Sequence, residues 1–538
     1  MKSLRIVLIM MILLVGSAWA EDPPVQRVEV SVLSISNGVA RLNHGRRLGI
    51  EPGDRVRLFP TGLPTLEGAV LSVRENSCRV EFSQDASAVE PGTTGEVLVP
   101  LDRTSSTPLP WTAPAENYDR AQPLLLGRAT PAEDRPPSWR GRVFFQTEWT
   151  ENRGSNSAEY LFGNLGVDLN YENPFGNGGR LHFNADAFSR TANLDLGFDV
   201  DDSRLRFDRF SYAWGGTREK ADRWQVGRFL HHEFPELGVV DGVEFSHRLD
   251  NGNRVGASFG YQPAILEDFR HEDDLQVSIF YRHLAGLNDE LALGMSYQRT
   301  WHKGRPDRDL VLATIDLKPR EDWTIWGSSW IDIYGSDATN KDSNVELTQL
   351  IAGVTWADRT GKGLTASLTQ TRWPELLRDE FVAPPVSLLA DGHVERIRIQ
   401  GWRPLAEHFR IRGSLDYWSD QDDSGSGGEL FLGARDLLWK RGEISAALYA
   451  RSGKFDDLIG LRLSGFKSTD LGTFRGTIDT TSVEGATFGG TASESQLRLR
   501  GSWDQSIGLD WYLSLYAQTV SIDVVDTSTL GLHLQWSF

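Results

Sequence analysis

Apolar and polar residues alternate along most of this chain, and the period of two recurs from Trp139 to the last residue. The closing segment is the sharpest case, with Leu530, Leu532, Leu534, Trp536 and Phe538 interleaved by Gly531, His533, Gln535 and Ser537. Successive side chains of a strand point to opposite faces, so this pattern writes one apolar face and one polar face. The same parity runs through Leu161 to Tyr171, with Asn164, Asp168 and Asn170 on the polar side, and through Val255 to Tyr261, with Arg254, Ser258 and Gly260 on the polar side. It returns in Leu291 to Tyr297, Val311 to Leu317, Ile444 to Ala450 and Trp511 to Ala517. Marking every such segment gives about 22 candidate strands, and we expect an even number between about 18 and 22. That many amphipathic strands without a second apolar face are hard to bury in water. A large closed antiparallel barrel, apolar side to lipid and polar side to a lumen, accommodates all of them.

The remainder of the chain divides into three parts. Lys2 and Arg5 precede the apolar run Ile6 to Val15, and Ser17-Ala18-Trp19-Ala20 offers a small-x-small site before Glu21, which reads as a cleaved secretory signal over 1–20. Within 21–99, short strands are expected at Val28 to Ile35, Val39 to Leu42, Arg55 to Phe59, Gly68 to Val73, Cys78 to Phe82 and Gly95 to Val99, which indicates a small β-barrel or sandwich. From 100 to 138 prolines at 100, 108, 110, 114, 123, 131, 136 and 137 mark an extended linker, either a tether or a plug of the lumen, with Trp111 and Leu124 to Leu126 apolar enough to dock. The barrel then occupies 139–538. Beyond the signal no apolar run reaches the roughly 18 residues of a helical span, and mean hydropathy is −0.35.

The terminal aromatic with apolar residues at alternate positions before it resembles the carboxyl-terminal signal by which Gram-negative outer-membrane β-barrels are recognised by their assembly machinery. The resemblance implies a porin-like protein of the cell outer membrane, surrounded by lipid and lipopolysaccharide, with the barrel-assembly machinery as a partner. The segment Gly45-Arg46-Arg47-Leu48-Gly49-Ile50-Glu51-Pro52-Gly53-Asp54-Arg55-Val56 resembles the Gly-rich turn of small SH3-like periplasmic modules of the flagellar T-ring type. That resemblance implies a module facing the periplasm that binds peptidoglycan or an envelope partner, or that only caps and spaces the barrel. Its three glycines are expected at positive φ.

Charge and composition narrow the functions. Lys and Arg number 56 against 74 Asp and Glu, a net charge of −18, and no Lys/Arg cluster suits phosphate backbones, so nucleic acid is excluded as a partner. Cys78 is the only cysteine and shares a strand face with Val80 and Phe82, which makes it a buried structural thiol. Sixteen of the 18 tryptophans lie after residue 138, and Trp139, Trp149, Trp224, Trp301, Trp373 and Trp418 sit near expected strand ends, where interfacial girdles belong.

Assigning the apolar parity to lipid leaves basic residues on the lumen side. Arg396 and Arg398 share one strand with Gln400, and Arg410 and Arg412 share the next with Ser414 and Asp416, so a basic ladder across neighbouring strands is expected. Arg498 and Arg500 repeat the pattern later, and Arg204 and Arg206 earlier. Guanidinium forks suit carboxylate and phosphate, giving an anion filter. Alternatively they pair with Asp208, Asp416 and Asp504 and brace the wall.

His231-His232-Glu233 carries ligand types for a transition metal, but adjacent residues of an extended chain face apart, so a solvated or lumen-folded loop is the better reading. Asp420-Gln421-Asp422-Asp423-Ser424-Gly425 copies half a calcium loop, with Phe431 where the bidentate Glu belongs, so it reads as an acidic external loop. No G-x-S-x-G elbow, H-E-x-x-H or P-loop is present. The chain therefore reads as a non-enzyme without cofactor or metal. Three functions remain open: a channel for small polar solutes, anionic ones among them; a docking protein anchored by its barrel; and a polysaccharide export channel.

Overall fold

The computed structural model describes residues 25–538 apart from 37–38, 60–65, 83–88, 90–91, 101–130, 155–156, 195–197, 218–219, 264–272, 287–289, 321, 336–340, 342–344, 359, 378–391, 407, 488–489, 509 and 523–524. The signal segment and most of the proline-rich linker, including Trp111 and Leu124 to Leu126, lie outside the described residues. The fold is all-β, in two compact units.

In the first unit, β1 (Val25–Ser36), β2 (Val39–Leu42), β3 (Arg55–Leu58), β4 (Leu66–Val73), β5 (Cys78–Phe82) and β6 (Thr94–Pro100) close a small barrel in the order β1-β2-β5-β4-β3-β6. Alternate residues fill its core: Val28, Val30 and Val32; Ala40 and Leu42; Val56 and Leu58; Cys78, Val80 and Phe82; Val97 and Val99. The Gly-rich turn departs from expectation at one of its three glycines. Gly49 and Gly53 adopt φ of 80° and 97°, whereas Gly45 sits at φ −150°. Gly45 is needed for room: a Cβ there would lie 2.1 Å from the Arg74 carbonyl oxygen.

In the second unit 22 strands close an antiparallel barrel, from β7 (Ser138–Arg153) to β28 (Val525–Ser537), with β28 pairing back onto β7. The strand number is the upper end of the expected range. Register confirms the parity: Leu530 faces Trp149, Leu532 faces Thr147, Leu534 faces Phe145 and Trp536 faces Val143, all on the outward face. Leu161, Leu165, Phe259, Ile279, Leu415 and Leu530 are exposed there.

Aromatic rings cluster on the outward face near the barrel end where β7 begins and β28 finishes, the terminus end of the barrel. Trp139 stacks on Tyr171 at 3.9 Å, Trp224 packs between Trp214 and Phe245, Phe474 meets Trp503, and Trp511 meets Trp536. Trp418 does not belong to such a girdle. It shares the face of Asp416, turns into the lumen and lies under the Arg451 guanidinium at 4.6 Å.

Candidate functional site: the barrel lumen

The lumen has two unlike walls. The first is built by β11 (Asp222–Leu230), β12 (Val239–Arg248), β13 (Arg254–Tyr261), β14 (Asp274–Ala285), β15 (Leu291–His302) and β16 (Arg305–Arg320). The connection 231–238, at the end opposite the termini, folds inward over this wall. Phe234 and Leu237 pack with Phe280, Leu310 and Leu312, whose strands turn apolar side chains inward to receive them. A short 3-10 turn at Pro235–Leu237 carries Leu237 into this cluster. Gly242 of β12 lies on the same inward face, where a Cβ would stand 2.1 Å from the Phe259 carbonyl oxygen.

Beside that apolar contact a polar network is sealed from water, with Glu244 and Gln276 at 0% exposure and His231 at 1%. Its donor order is fixed by one carbonyl. Leu237 O can only accept, so Gln298 presents its amide nitrogen to it at 3.1 Å, and the same nitrogen donates to Gln276 Oε1 at 2.6 Å. Gln276 therefore turns its own nitrogen to His231 Nε2 at 3.0 Å, and that ring nitrogen accepts. The imidazole proton sits on Nδ1 and is donated to Glu244 Oε2 at 2.9 Å. Glu244 also accepts from Arg223 at 2.9 Å and from the His232 backbone N–H at 3.4 Å.

Ser258 Oγ lies 3.4 Å from His231 Nε2, which places Ser258, His231 and Glu244 in the order of a catalytic triad. The arrangement does not present a nucleophile. Ser258 is buried and bonded to Ser278 at 2.7 Å, and the imidazole nitrogen it would use is already taken by Gln276. His231 and His232 face apart, His231 to Glu244 and His232 towards Glu233 at 3.9 Å. Glu233 is nearly buried and is gripped by Arg254 at 2.5 Å and Arg282 at 3.5 Å. Burial alone would raise its carboxyl, but His232, Arg254 and Arg282 outweigh that and hold it down at about 2.

The second wall is built by β20 (His393–Pro404), β21 (Phe409–Asp420), β22 (Ser424–Arg435), β23 (Gly442–Ser452), β24 (Asp456–Thr469), β25 (Gly472–Thr487), β26 (Gly490–Ile507) and β27 (Trp511–Ile522). Its inward side chains are largely exposed. The arginine pairs of β20 and β21 do not form a side-by-side ladder, because the antiparallel register sets them at opposite ends of the hairpin. Arg396 faces Trp418, Arg398 faces Asp416, Arg412 faces Trp402 and Arg410 faces Pro404.

Most of these cations are neutralised. Arg396 pairs with Asp416 at 3.1 Å, Arg412 with Glu429 at 3.0 Å and Arg410 with Glu443 at 2.6 Å. Arg410 reaches across β22 because Gly433 opposite it offers no side chain. Arg410 and Arg412 also flank the Phe431 ring at 5.3 and 4.8 Å. On β10 (Phe198–Gly215), Arg204 pairs with Asp202 at 3.0 Å, and Arg206 with Asp186 at 3.0 Å and Asp208 at 2.9 Å. Asp504 is taken by Arg475 at 2.5 Å, leaving Arg498 and Arg500 of β26 without it.

The Asp420 segment forms a tight hairpin instead of an open ion cradle. Asp420 Oδ1 accepts the backbone N–H groups of Asp422 and Asp423 at 2.9 and 2.7 Å, and Asp423 accepts that of Lys454 at 2.6 Å. Among the described residues no three His, Cys, Asp or Glu side chains converge as a metal site.

No protein-family model and no curated protein matches the chain. Solved structures match about three quarters of the chain at low identity. The P pilus usher (PapC) translocation pore is 8% identical, with 74% of this chain and 99% of that chain covered, at a TM-score of 0.45. Pseudomonas aeruginosa OccK7 (OpdD) is 10% identical over 74% and 99%, at 0.39, and Acinetobacter baumannii OccAB3 is 9% identical over 74% and 100%, at 0.37. At this level of similarity neither substrate nor mechanism transfers, and the barrel stands on its own strand pairing.

Proposed function

We propose that the protein is an outer-membrane channel for small polar solutes. One observation carries the reading: a closed 22-strand barrel whose outward face is apolar and rimmed by aromatic rings encloses a lumen with a polar, exposed wall. Connection lengths support the orientation. The described turns at the terminus end run to at most seven residues, while the strands that end at Leu230, Tyr261, Ile333 and Arg372 reach the other end and are each followed by a longer connection. Outer-membrane barrels keep short turns in the periplasm and long loops outside, so the small barrel at residues 25–100 faces the periplasm in this reading. There it docks to peptidoglycan or an envelope partner.

In this reading the lumen operates as a pore: the 231–238 loop fills one wall and leaves the β20 to β27 wall to line the path. Single-channel recording in planar bilayers tests this. Stepwise ionic currents are expected from the full chain, and a larger unitary current from a chain lacking residues 21–138 would show that the linker plugs the pore. Absence of current from both chains would refute the channel and favour the docking module.

A further inference from the structure

We infer that Arg498 and Arg500 of β26 form the anion-binding station of the lumen, for solutes that carry carboxylate or phosphate groups. The inference rests on the channel reading and deepens it. It follows from an inventory of compensated and uncompensated charge on the exposed wall. A guanidinium clamped by a carboxylate presents little field to a passing anion, which would have to displace that carboxylate first. Arg396, Arg410, Arg412, Arg462 and Arg475 are all clamped in this way.

Arg498 makes no ion pair among the described residues. Its neighbour across the ladder on β25 is Asp479, and both carboxylate oxygens there are committed, one to Arg462 Nε at 2.8 Å and one to the Tyr449 hydroxyl at 2.5 Å. Its neighbour on β27 is Val520, which offers no charge. Arg500 rests on the Tyr516 ring at 5.1 Å and has no carboxylate partner among the described residues; the Tyr516 hydroxyl donates to Glu148. Thr477 and Gln518 flank Arg500 on the two adjacent strands.

Residues two apart on a strand share a face and stand roughly 7 Å apart. Two unclamped planar forks at that spacing, with a hydroxyl and an amide beside them, suit a bidentate oxyanion or a solute bearing two anionic groups. Among the described residues Arg398 likewise makes no ion pair, and it donates to Ser414 at 3.4 Å. It lies six strands away and lacks a second fork beside it.

The test uses the full chain in planar bilayers with chloride as carrier. Inorganic phosphate and succinate, added separately, serve as blocking probes that distinguish phosphate from carboxylate recognition. The wild-type protein is expected to prefer anions and to show current block by at least one probe. R498Q/R500Q is expected to weaken that block at least tenfold, whereas R396Q/R410Q, which removes the same formal charge from clamped positions, is expected to weaken it less than threefold. R498K/R500K keeps the charge without the fork and is expected to keep anion preference while losing part of the block. Equal weakening by the two Gln variants, or unblocked wild-type current, would overturn the station while leaving the channel intact. Absence of conductance in the wild-type protein would sink the channel itself.

Discussion

Replacing His231 by leucine should loosen the inward-folded loop without unfolding the barrel. Leucine keeps most of the side-chain volume and deletes two hydrogen bonds: the one donated to Glu244 at 2.9 Å and the one accepted from Gln276 at 3.0 Å. A hydrogen bond to a charged group contributes about 1.5–3 kcal/mol, and a buried donor left unsatisfied costs about 1–3 kcal/mol. Glu244 keeps Arg223, so it is not left as a lone buried charge. The loop should therefore lose about 3–5 kcal/mol of docking free energy. Phe234 and Leu237 remain buried and contribute about 2 kcal/mol each, so the docked state still predominates. Every 1.4 kcal/mol is a factor of about ten in the opening equilibrium. Hydrogen exchange at the amides of 231–238 should accelerate by at least a hundredfold in His231→Leu, with strand amides of β20 to β27 unchanged. Exchange within fivefold of wild type would refute the network as the device that holds the loop.

Other perturbations follow from single contacts. Glu233 is held at about 2, so its stabilising contribution is complete above pH 4.5 and fades as pH falls through about 2. The Glu233 contribution to loop protection should therefore be complete above about pH 4.5 and decline below it, and Glu233→Gln should remove that acid limb. In the small barrel, burial, with a smaller contribution from Asp54, pushes the Cys78 thiol up to about 12. At pH 8 its thiolate fraction is then about a thousandfold below that of a free cysteine, and maleimide should label it only after denaturation. Gly242→Ala would drive a Cβ to 2.1 Å from the Phe259 carbonyl, which as ladder backbone cannot yield, whereas a Cβ at Gly163 meets nothing within 4 Å. Gly242→Ala should cost about 3 kcal/mol or lose folded yield altogether, and Gly163→Ala should unfold at the wild-type temperature.

Strand parity was legible because it is written locally. Leu530 to Phe538 carries its own lipid face, and the small barrel's β2 (Val39–Leu42) and β5 (Cys78–Phe82) begin and end where the alternation does. What the alternation does not encode is which polar residue meets which. Arg396 and Arg410 look equivalent in sequence, yet register places one against Trp418 and the other against Pro404, and a glycine at 433 lets Arg410 reach a carboxylate two strands away. The inward loop is subject to the same limit more severely. His231, Glu244, Gln276 and Gln298 come from different elements, and the bond from Gln298 to Leu237 O spans 61 positions. No local period relates them.

The lumen's electrostatic character is therefore a property of register more than of composition. An acidic chain with net charge −18 can still present a cationic station, because carboxylates cancel arginines pair by pair and the remainder is decided by which arginines the ladder leaves over. On β26 the leftover is Arg498 and Arg500, since Asp504 is drawn to Arg475 and Asp479 to Arg462. A one-residue slip of β26 would turn both arginines to the lipid and Leu497 and Leu499 to the lumen, so the hydrophobic parity that fixes the strand also fixes the charge.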